Sequence, residues 1–176
     1  MSPIDRAAIE AFLVRLGDRL DEPGELVLLG GGALLLLGSP RTTIDIDYVG
    51  DDLSRSDFQV AVEQVAEELG LVVDPVPIWD FVPMPANSAK RRVHVGRFGA
   101  VDVFALDPYV MALSKLDRGF DSDLADIVFL VQRGLVSLDR IAEQVAAAIP
   151  NAAAFDMDPA AMRKHLAVVR RRISAR

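Results

Sequence analysis

The chain has 176 residues, a formal net charge of −7 and no cysteine. This length allows one domain, or a compact domain with a helical extension. The 51% of apolar residues can form a full core, which argues against wholesale disorder. Without cysteine, disulfides, thiolate zinc sites and cysteine nucleophiles are excluded. With only His94 and His165, a histidine-rich metal centre is excluded as well.

Neither a secretory signal nor a membrane span is predicted. The first residues carry an early acid and no apolar segment. The most apolar stretch, Leu26 to Gly38, is interrupted by glycines and is too short to cross a bilayer. We therefore expect a cytoplasmic protein without membrane contact.

The first predicted elements alternate between helix and strand. Ser2-Pro3 is a typical helix start, and Pro23-Gly24 ends that helix. A buried strand is predicted over Glu25 to Leu29. The Gly30-Gly31-Gly32 turn breaks it, and a helix is predicted over Ala33 to Leu37.

The next strand, Ile44 to Val49, alternates apolar and acidic residues. Its pattern predicts Ile44, Ile46 and Tyr48 on one side and Asp45 and Asp47 on the other. The elements predicted after it are a helix from about Ser54 to Leu69, a strand over Leu71 to Val73, a proline-rich irregular loop over Asp74 to Ser88, and a hairpin of Val93 to Phe98 with Val101 to Leu106.

The rest of the chain is predicted to be helical. One helix is expected to end near Arg118, and two more are expected over Ser122 to Arg133 and Ser137 to Ile149. A last helix is expected to begin at Pro159. The pattern indicates an α/β (α+β) fold with a small mixed sheet flanked by helices. We expect an α/β core over residues 1–106 and a helical C-terminal extension over residues 107–176, packed on the core.

Asp45-Ile46-Asp47 is the sharpest chemical feature. Two carboxylates that project side by side from a strand repel each other unless a cation neutralises them. Carboxylate oxygens suit magnesium, with manganese as the alternative. The pair is either a metal site or an exposed sheet face.

The glycine turn strengthens the metal-site interpretation. Glycines let the backbone approach a ligand closely, and the helix after them offers free N–H groups to phosphate oxygens. A tight strand-to-helix connection is the alternative. Gly32 and Asp45 are separated by 12 residues, a spacing that favours a phosphate cradle beside a metal site.

Two basic patches stand out in an acidic chain. One is Lys90-Arg91-Arg92, and the other is the C-terminal region, since no acid follows Asp158. They indicate either local binding of a phosphate backbone or a basic loop and a solvated helix end.

The segments Leu29-Gly30-Gly31-Gly32-Ala33 and Arg41-Thr42-Thr43-Ile44-Asp45-Ile46-Asp47 resemble the signature of the DNA-polymerase-β-like nucleotidyltransferase superfamily. The Arg-x-Thr before Asp-x-Asp is similar to the AbiEii-type toxin branch of toxin–antitoxin and phage-defence nucleotidyltransferases. Asp102 and the Lys115 to Asp126 region extend the resemblance, which covers Leu26 to Leu130.

The resemblance implies a nucleotidyltransferase fold and a two-metal phosphoryl-type transfer. Asp45, Asp47 and Asp102 would be the catalytic carboxylates and would hold two Mg²⁺ ions, or Mn²⁺. Alternatively, Asp102 would be the base that takes the acceptor proton. Gly31 and Gly32 would cradle the triphosphate.

Further nucleotide contacts are expected from four residues: Arg41, Thr43, Lys115 and Arg118. Lys115 and Arg118 share one helix face, which contacts either triphosphate oxygens or solvent. Arg41 reaches a phosphate or pairs with the aspartates. Asp126 is expected to pair with Lys115 or Arg118 rather than to bind metal.

The leading hypothesis is an enzyme that moves a nucleotide from a nucleoside triphosphate to an RNA 3′ end or a protein hydroxyl. The resemblance implies a toxin with a cognate antitoxin protein as partner. A nucleotidyltransferase acting on a small molecule, such as an aminoglycoside, is the enzymatic alternative. A non-catalytic nucleotide-binding or antitoxin-like module is the alternative from another class.

Overall fold

The structure is a computed structural model, and it describes residues 3–51 and 56–175. The chain divides into two compact units. The first comprises Met1–Pro77 and Arg92–Leu106, and the second comprises Ile78–Arg91 and Asp107–Arg176. The predicted packing of a helical extension on the core stays a prediction.

The first unit is an α/β unit built on one five-stranded sheet. Its helices and strands are α1 (Arg6–Arg19), β1 (Gly24–Leu29), α2 (Gly30–Leu36), β2 (Ile46–Val49), α3 (Asp57–Leu69), β3 (Val73–Val76), β4 (Val93–Phe98) and β5 (Val101–Ala105). The strand order is β3-β2-β1-β5-β4. β1 runs parallel to β5 and antiparallel to β2, so the predicted mixed sheet is confirmed.

One face of the sheet forms the core of this unit. Leu26 and Leu28 of β1 alternate toward that face and are fully buried. Helix α1 covers it, because its apolar residues recur at helical spacing and are completely buried. The opposite face carries Leu29 and, in register with it, Asp47 of β2.

Two predicted starts are shifted by backbone pairing. Helix α1 begins at Arg6, with Asp5 as its N-cap accepting a hydrogen bond from Ala8 N at 2.9 Å. The predicted cap Ser2 lies outside the described residues. Ile4 cannot join the helix because its backbone pairs with that of Thr43.

The strand that follows Thr43 is shorter than predicted. It begins at Ile46, and Ile44 is 61% exposed rather than aligned with the buried Ile46 and Tyr48. The Ile4–Thr43 bridge explains the difference, because the chain must bend between that bridge and β2. Helix α3 begins at Asp57, and its predicted start at Ser54 lies outside the described residues.

The first residues of the predicted proline-rich loop belong to strand β3. It pairs with β2 in parallel register over Val73–Val76, although it contains Pro75. Proline lacks the N–H that a central strand needs, but β3 is an edge strand with only one neighbour. The proline therefore marks an edge rather than a loop.

The second unit is helical, as predicted. Its helices are α4 (Pro108–Arg118), α5 (Asp121–Gln132), α6 (Leu138–Ala148) and α7 (Pro159–Ser174). The aspartate-proline starts are confirmed: Asp107 accepts a hydrogen bond from Tyr109 N, and Asp158 accepts from two first-turn N–H groups. Ile78–Asp80, Ser88–Arg91 and Ile149–Phe155 form short 3₁₀ segments.

Across the described parts of the chain, none of the helices is both long enough and apolar enough to cross a membrane.

Candidate active site

The glycine turn lies directly against the segment that carries the aspartate pair. Gly30 has a φ of +64°, and a Cβ there would lie 2.5 Å from Asp47 Oδ2. A Cβ on Gly31 would lie 2.5 Å from Thr43 Oγ1. A side chain at either glycine would displace Asp47 or Thr43, and the turn therefore lies next to Asp47 and to the threonine that precedes Asp45.

The three glycines are not equivalent. They form the first turn of α2 rather than a loop before it. Gly30 and Gly31 are half-buried, whereas Gly32 is buried. A Cβ on Gly32 would make ordinary contacts of 3.6 Å or more with Ile46. Gly32 thus faces the core, and Gly30 and Gly31 form the outer surface of the turn.

Thr43 positions the first aspartate. Its Oγ1 donates a hydrogen bond to Asp45 Oδ1 at 3.2 Å. Its backbone N–H and carbonyl are both bonded to Ile4, at 3.0 and 2.7 Å. The threonine is therefore held on both sides while it orients the carboxylate. Arg41 is exposed, and its backbone N–H donates to Ser39 Oγ.

The aspartate pair suits one divalent ion held together with a substrate. Asp45 lies immediately before β2 and Asp47 within it, and both are half-buried. Within residues 3–51 and 56–175, no three acidic or histidine side chains are grouped closely enough to hold a metal. Magnesium is usually held by one or two carboxylates plus substrate phosphates, so the pair fits this ion. It offers no third carboxylate for a second ion.

Asp102 does not join the pair. It is in register with Glu25 of β1, whereas Asp47 is in register with Leu29, four residues further along the same strand. That offset is about 13 Å along β1, with two strand spacings of about 4.8 Å between β2 and β5. The predicted site of three carboxylates is therefore not formed, because the parallel register sends Asp102 to the other end of β1.

The surroundings of Asp102 are also different. Its carboxylate lies 3.4 Å from His94 Nε2 and 3.6 Å from an Arg97 guanidinium nitrogen. Sequence alternation along the hairpin identified its strand correctly but could not reveal its register against β1.

Asp74 is the carboxylate that the sequence interpretation missed. It stands opposite Asp47 in the parallel β2–β3 register, so its side chain leaves the same face of the sheet. It is exposed. The signal was present in Val72-Val73-Asp74-Pro75-Val76, an acid between apolar residues, but the proline disguised the strand.

Lys115 and Arg118 form an ion-pair cluster within the second unit. Lys115 is buried, and its Nζ contacts Asp123 at 3.2 Å and Asp126 at 2.8 Å. Arg118 contacts Asp123 at 2.8 Å. The predicted pairing of Asp126 is confirmed, as is the shared helix face of Lys115 and Arg118. Their predicted contact with triphosphate stays a prediction.

Asp123 has a perturbed ionisation. Burial alone raises the pKa of its carboxyl, but the hydrogen bond from Arg118 and the charges of Lys115 and Arg118 outweigh burial. The pKa of Asp123 is consequently below its ordinary value of 3.8. The carboxylate is thus charged at neutral pH and binds two cations.

The first predicted basic patch is largely neutralised by local pairs. Arg91 contacts the completely buried Asp107 at 2.6 Å within the second unit. Arg92 pairs with Glu25 within the first unit. Two of the three cations in Lys90-Arg91-Arg92 therefore have structural partners.

A mixed sheet with a glycine turn seated against an Asp-x-Asp strand defines a nucleotidyltransferase-type α/β unit. The model of a family described as "Nucleotidyltransferase of unknown function (DUF6036)" matches residues 7–166. The chain therefore belongs to this nucleotidyltransferase family. No curated protein and no solved structure matches it. Membership of the AbiEii-type branch stays a prediction.

Proposed function

We propose that the chain transfers a nucleoside monophosphate from a nucleoside triphosphate to an acceptor hydroxyl, with Mg²⁺ as cofactor. The observation that carries the proposal is the seating of Asp47 against Gly30, next to the Thr43–Asp45 hydrogen bond. Family membership supports the reaction class.

The glycine turn is proposed to hold the triphosphate. Leu29 provides no side-chain cap for the first turn of α2. The N–H groups of a first helical turn have no partner within the helix, so they suit phosphate oxygens. Gly30 and Gly31 leave no Cβ between the turn and Asp47 or Thr43. A triphosphate on this turn would lie beside both aspartates.

Asp45 and Asp47 are proposed to hold one Mg²⁺, with Thr43 fixing the orientation of Asp45. The ion, when bound, neutralises phosphate charge and polarises the phosphorus centre. In the transfer, the acceptor oxygen forms a bond to the α-phosphorus as the bond to the β-phosphate bridging oxygen breaks. Pyrophosphate leaves, and the acceptor proton passes to solvent.

The acceptor is proposed to be an RNA 3′ end, with a hydroxyl on a protein as the variant of the same chemistry. The Arg41-Thr42-Thr43 segment before the aspartates supports a toxin of a toxin–antitoxin pair, with an antitoxin protein as its cognate partner. The basic C-terminal region is consistent with an acceptor that carries phosphates.

The test is transfer of label from each α-labelled ribonucleoside triphosphate, in Mg²⁺ and in Mn²⁺, to total RNA, to cell protein and to an aminoglycoside. Label on RNA supports the proposal and names the nucleotide. Label on the aminoglycoside alone would show that the acceptor is a small molecule and not RNA. Triphosphate binding without transfer to any acceptor would favour a non-catalytic module.

A further inference from the structure

Helix α7 has two chemically distinct faces. Its apolar residues Met162, Leu166 and Val169 are buried within the second unit. Its exposed cations are Arg163, Lys164, Arg170 and Arg171. At 100° per residue these four lie within about 120° of the circumference and within about 12 Å along the axis. They form a compact basic face.

Most of this face is not neutralised. Arg170 pairs at 3.6 Å with the exposed Asp139. In the parts of the chain that the structure describes, Arg163, Lys164 and Arg171 have no ion pair or hydrogen bond from their side chains. All 26 acidic residues of the chain lie at or before Asp158. The positive charge of α7 is therefore available to a ligand.

We propose that the basic face of α7 binds the phosphate backbone of the RNA acceptor. This inference rests on the proposed function for the choice of RNA, and it assigns the surface that holds the acceptor. Lys and Arg side chains that contact phosphates supply most of the affinity for a nucleic acid without reading its sequence.

The composition of the face favours phosphates over other anionic partners. Apart from the cations, this face exposes only the small residues Ala160, Ala167, Ser174 and Ala175. A helix that lies on a membrane needs an exposed apolar face, and that of α7 is buried. Protein interfaces rely on large aromatic or apolar anchors, and this face has none. A polyanion needs only the charges.

The test is binding of a labelled single-stranded 20-mer RNA by the full chain over a range of salt concentrations. The test variant is Arg163→Gln/Lys164→Gln/Arg171→Gln. We expect at least a tenfold loss of affinity at low salt. The slope of log affinity against log salt should fall by about 2, since each lost contact on a single strand removes about 0.7.

A matched control removes the same charge elsewhere. Arg6→Gln/Arg15→Gln/Arg133→Gln changes three exposed arginines outside α7, and it should bind RNA within about twofold of the native chain. Equal losses in both variants would mean that net charge alone matters, and would overturn the proposal. Unchanged RNA affinity in the α7 variant would also overturn the proposal. This holds even if α7 is then found to bind phosphatidylserine vesicles or a second copy of the chain.

Failure of the proposed function is distinguishable in the same assay. An Asp45→Asn/Asp47→Asn variant should bind the RNA as the native chain does, because the α7 face is intact. Suppose that the native chain transfers no nucleotide, but that the α7 variant binds RNA more weakly than the native chain does. The proposed function would then be wrong, and the assignment of the RNA-binding surface would be supported.

Discussion

The carboxylate of Asp47 lies against Gly30, with Oδ2 2.5 Å from the position that a Cβ on Gly30 would occupy. Gly30 also has a left-handed backbone, with a φ of +64°. The left-handed backbone favours glycine at this residue, and a Cβ would in addition displace the Asp47 carboxylate. The relationship joins the phosphate-binding element of the proposed site to its metal-binding element.

Replacing Gly30 should damage both the fold and the site. Gly30→Ala combines a left-handed backbone with a clash against Asp47, so we expect a loss of at least about 1–2 kcal/mol in the free energy of unfolding. Displacement of Asp47 should also reduce nucleotide transfer. Urea unfolding and label transfer measure the two effects.

Gly32→Ala is the matched control. Its Cβ would have ordinary contacts of 3.6 Å or more, and alanine is favoured over glycine within a helix by about 0.5–1 kcal/mol. We expect unchanged or slightly increased stability. A loss in Gly32→Ala as large as that in Gly30→Ala would contradict the difference between the two glycines.

Asp74 and Asp102 should differ in their effect on the magnesium requirement. Asp74 is opposite Asp47 on the adjacent strand, so its charge lies within about 7 Å of an ion held by the pair. Asp74→Asn should weaken Mg²⁺ binding by about 1 kcal/mol at low salt, a several-fold increase in the Mg²⁺ needed for half-maximal transfer.

Asp102→Asn should leave that Mg²⁺ concentration unchanged. Asp102 is about 16 Å from the pair by the sheet register, which exceeds the screening length of about 8 Å at physiological ionic strength. A larger effect from Asp102→Asn than from Asp74→Asn would restore Asp102 as the third carboxylate.

The Asp123 ion pairs should make stability depend on pH. Because the folded pKa is lowered, the stabilisation by Asp123 is present above its ordinary value of 3.8 and is lost as pH falls through the folded pKa. The difference in unfolding free energy between the native chain and Asp123→Asn should be constant above about pH 5 and shrink below 3.8.

Asp139→Asn serves as the control for this titration. Its side chain is 93% exposed and lies 3.6 Å from Arg170, and exposed pairs contribute about 0–1 kcal/mol. Urea unfolding between pH 3 and pH 7 should show no comparable change. If the difference in unfolding free energy between the native chain and Asp123→Asn grew at low pH, the lowered pKa of Asp123 would be contradicted.

Gly119 and Gly134 separate backbone strain from steric conflict. Both have left-handed φ angles, +67° and +69°. A Cβ on Gly119 would lie 1.9 Å from the His165 ring, whereas one on Gly134 would meet nothing within 4 Å. Gly134→Ala should cost about 1–2 kcal/mol, and Gly119→Ala distinctly more.

The extra cost at Gly119 has a specific source. The His165 ring must move, and its Nδ1 is 2.6 Å from the Leu116 carbonyl oxygen. Thermal unfolding of the two alanine variants measures the difference. Equal losses would show that His165 relocates without cost.

Elements defined by local signals could be predicted from the sequence. Three of the four helices after Leu106 begin with a side-chain cap, and each of the four is found close to its expected bounds. The glycine turn and the Asp-x-Asp segment were identified because both are contiguous motifs. Their proximity followed from one short connection.

Features that depend on pairing between distant residues could not be predicted. The start of α1 depends on the Ile4–Thr43 bridge, and the position of Asp102 depends on the register of β5 against β1. β3 was predicted to end at Val73 rather than Val76, because an edge strand tolerates Pro75. Alternation identifies the face on which a side chain lies, but not its neighbour on the next strand.

Nucleotide transfer by Asp45→Asn and Asp47→Asn, compared with Asp102→Asn, tests the assignment of the catalytic aspartates. With α-labelled triphosphate, Mg²⁺ and RNA, each of the first two variants should lose at least about 100-fold in rate, because several kcal/mol of charge stabilisation are removed. Asp102→Asn should stay within about threefold of the native chain, consistent with its separation from the pair. Full activity in Asp45→Asn or Asp47→Asn would contradict the assignment of the site.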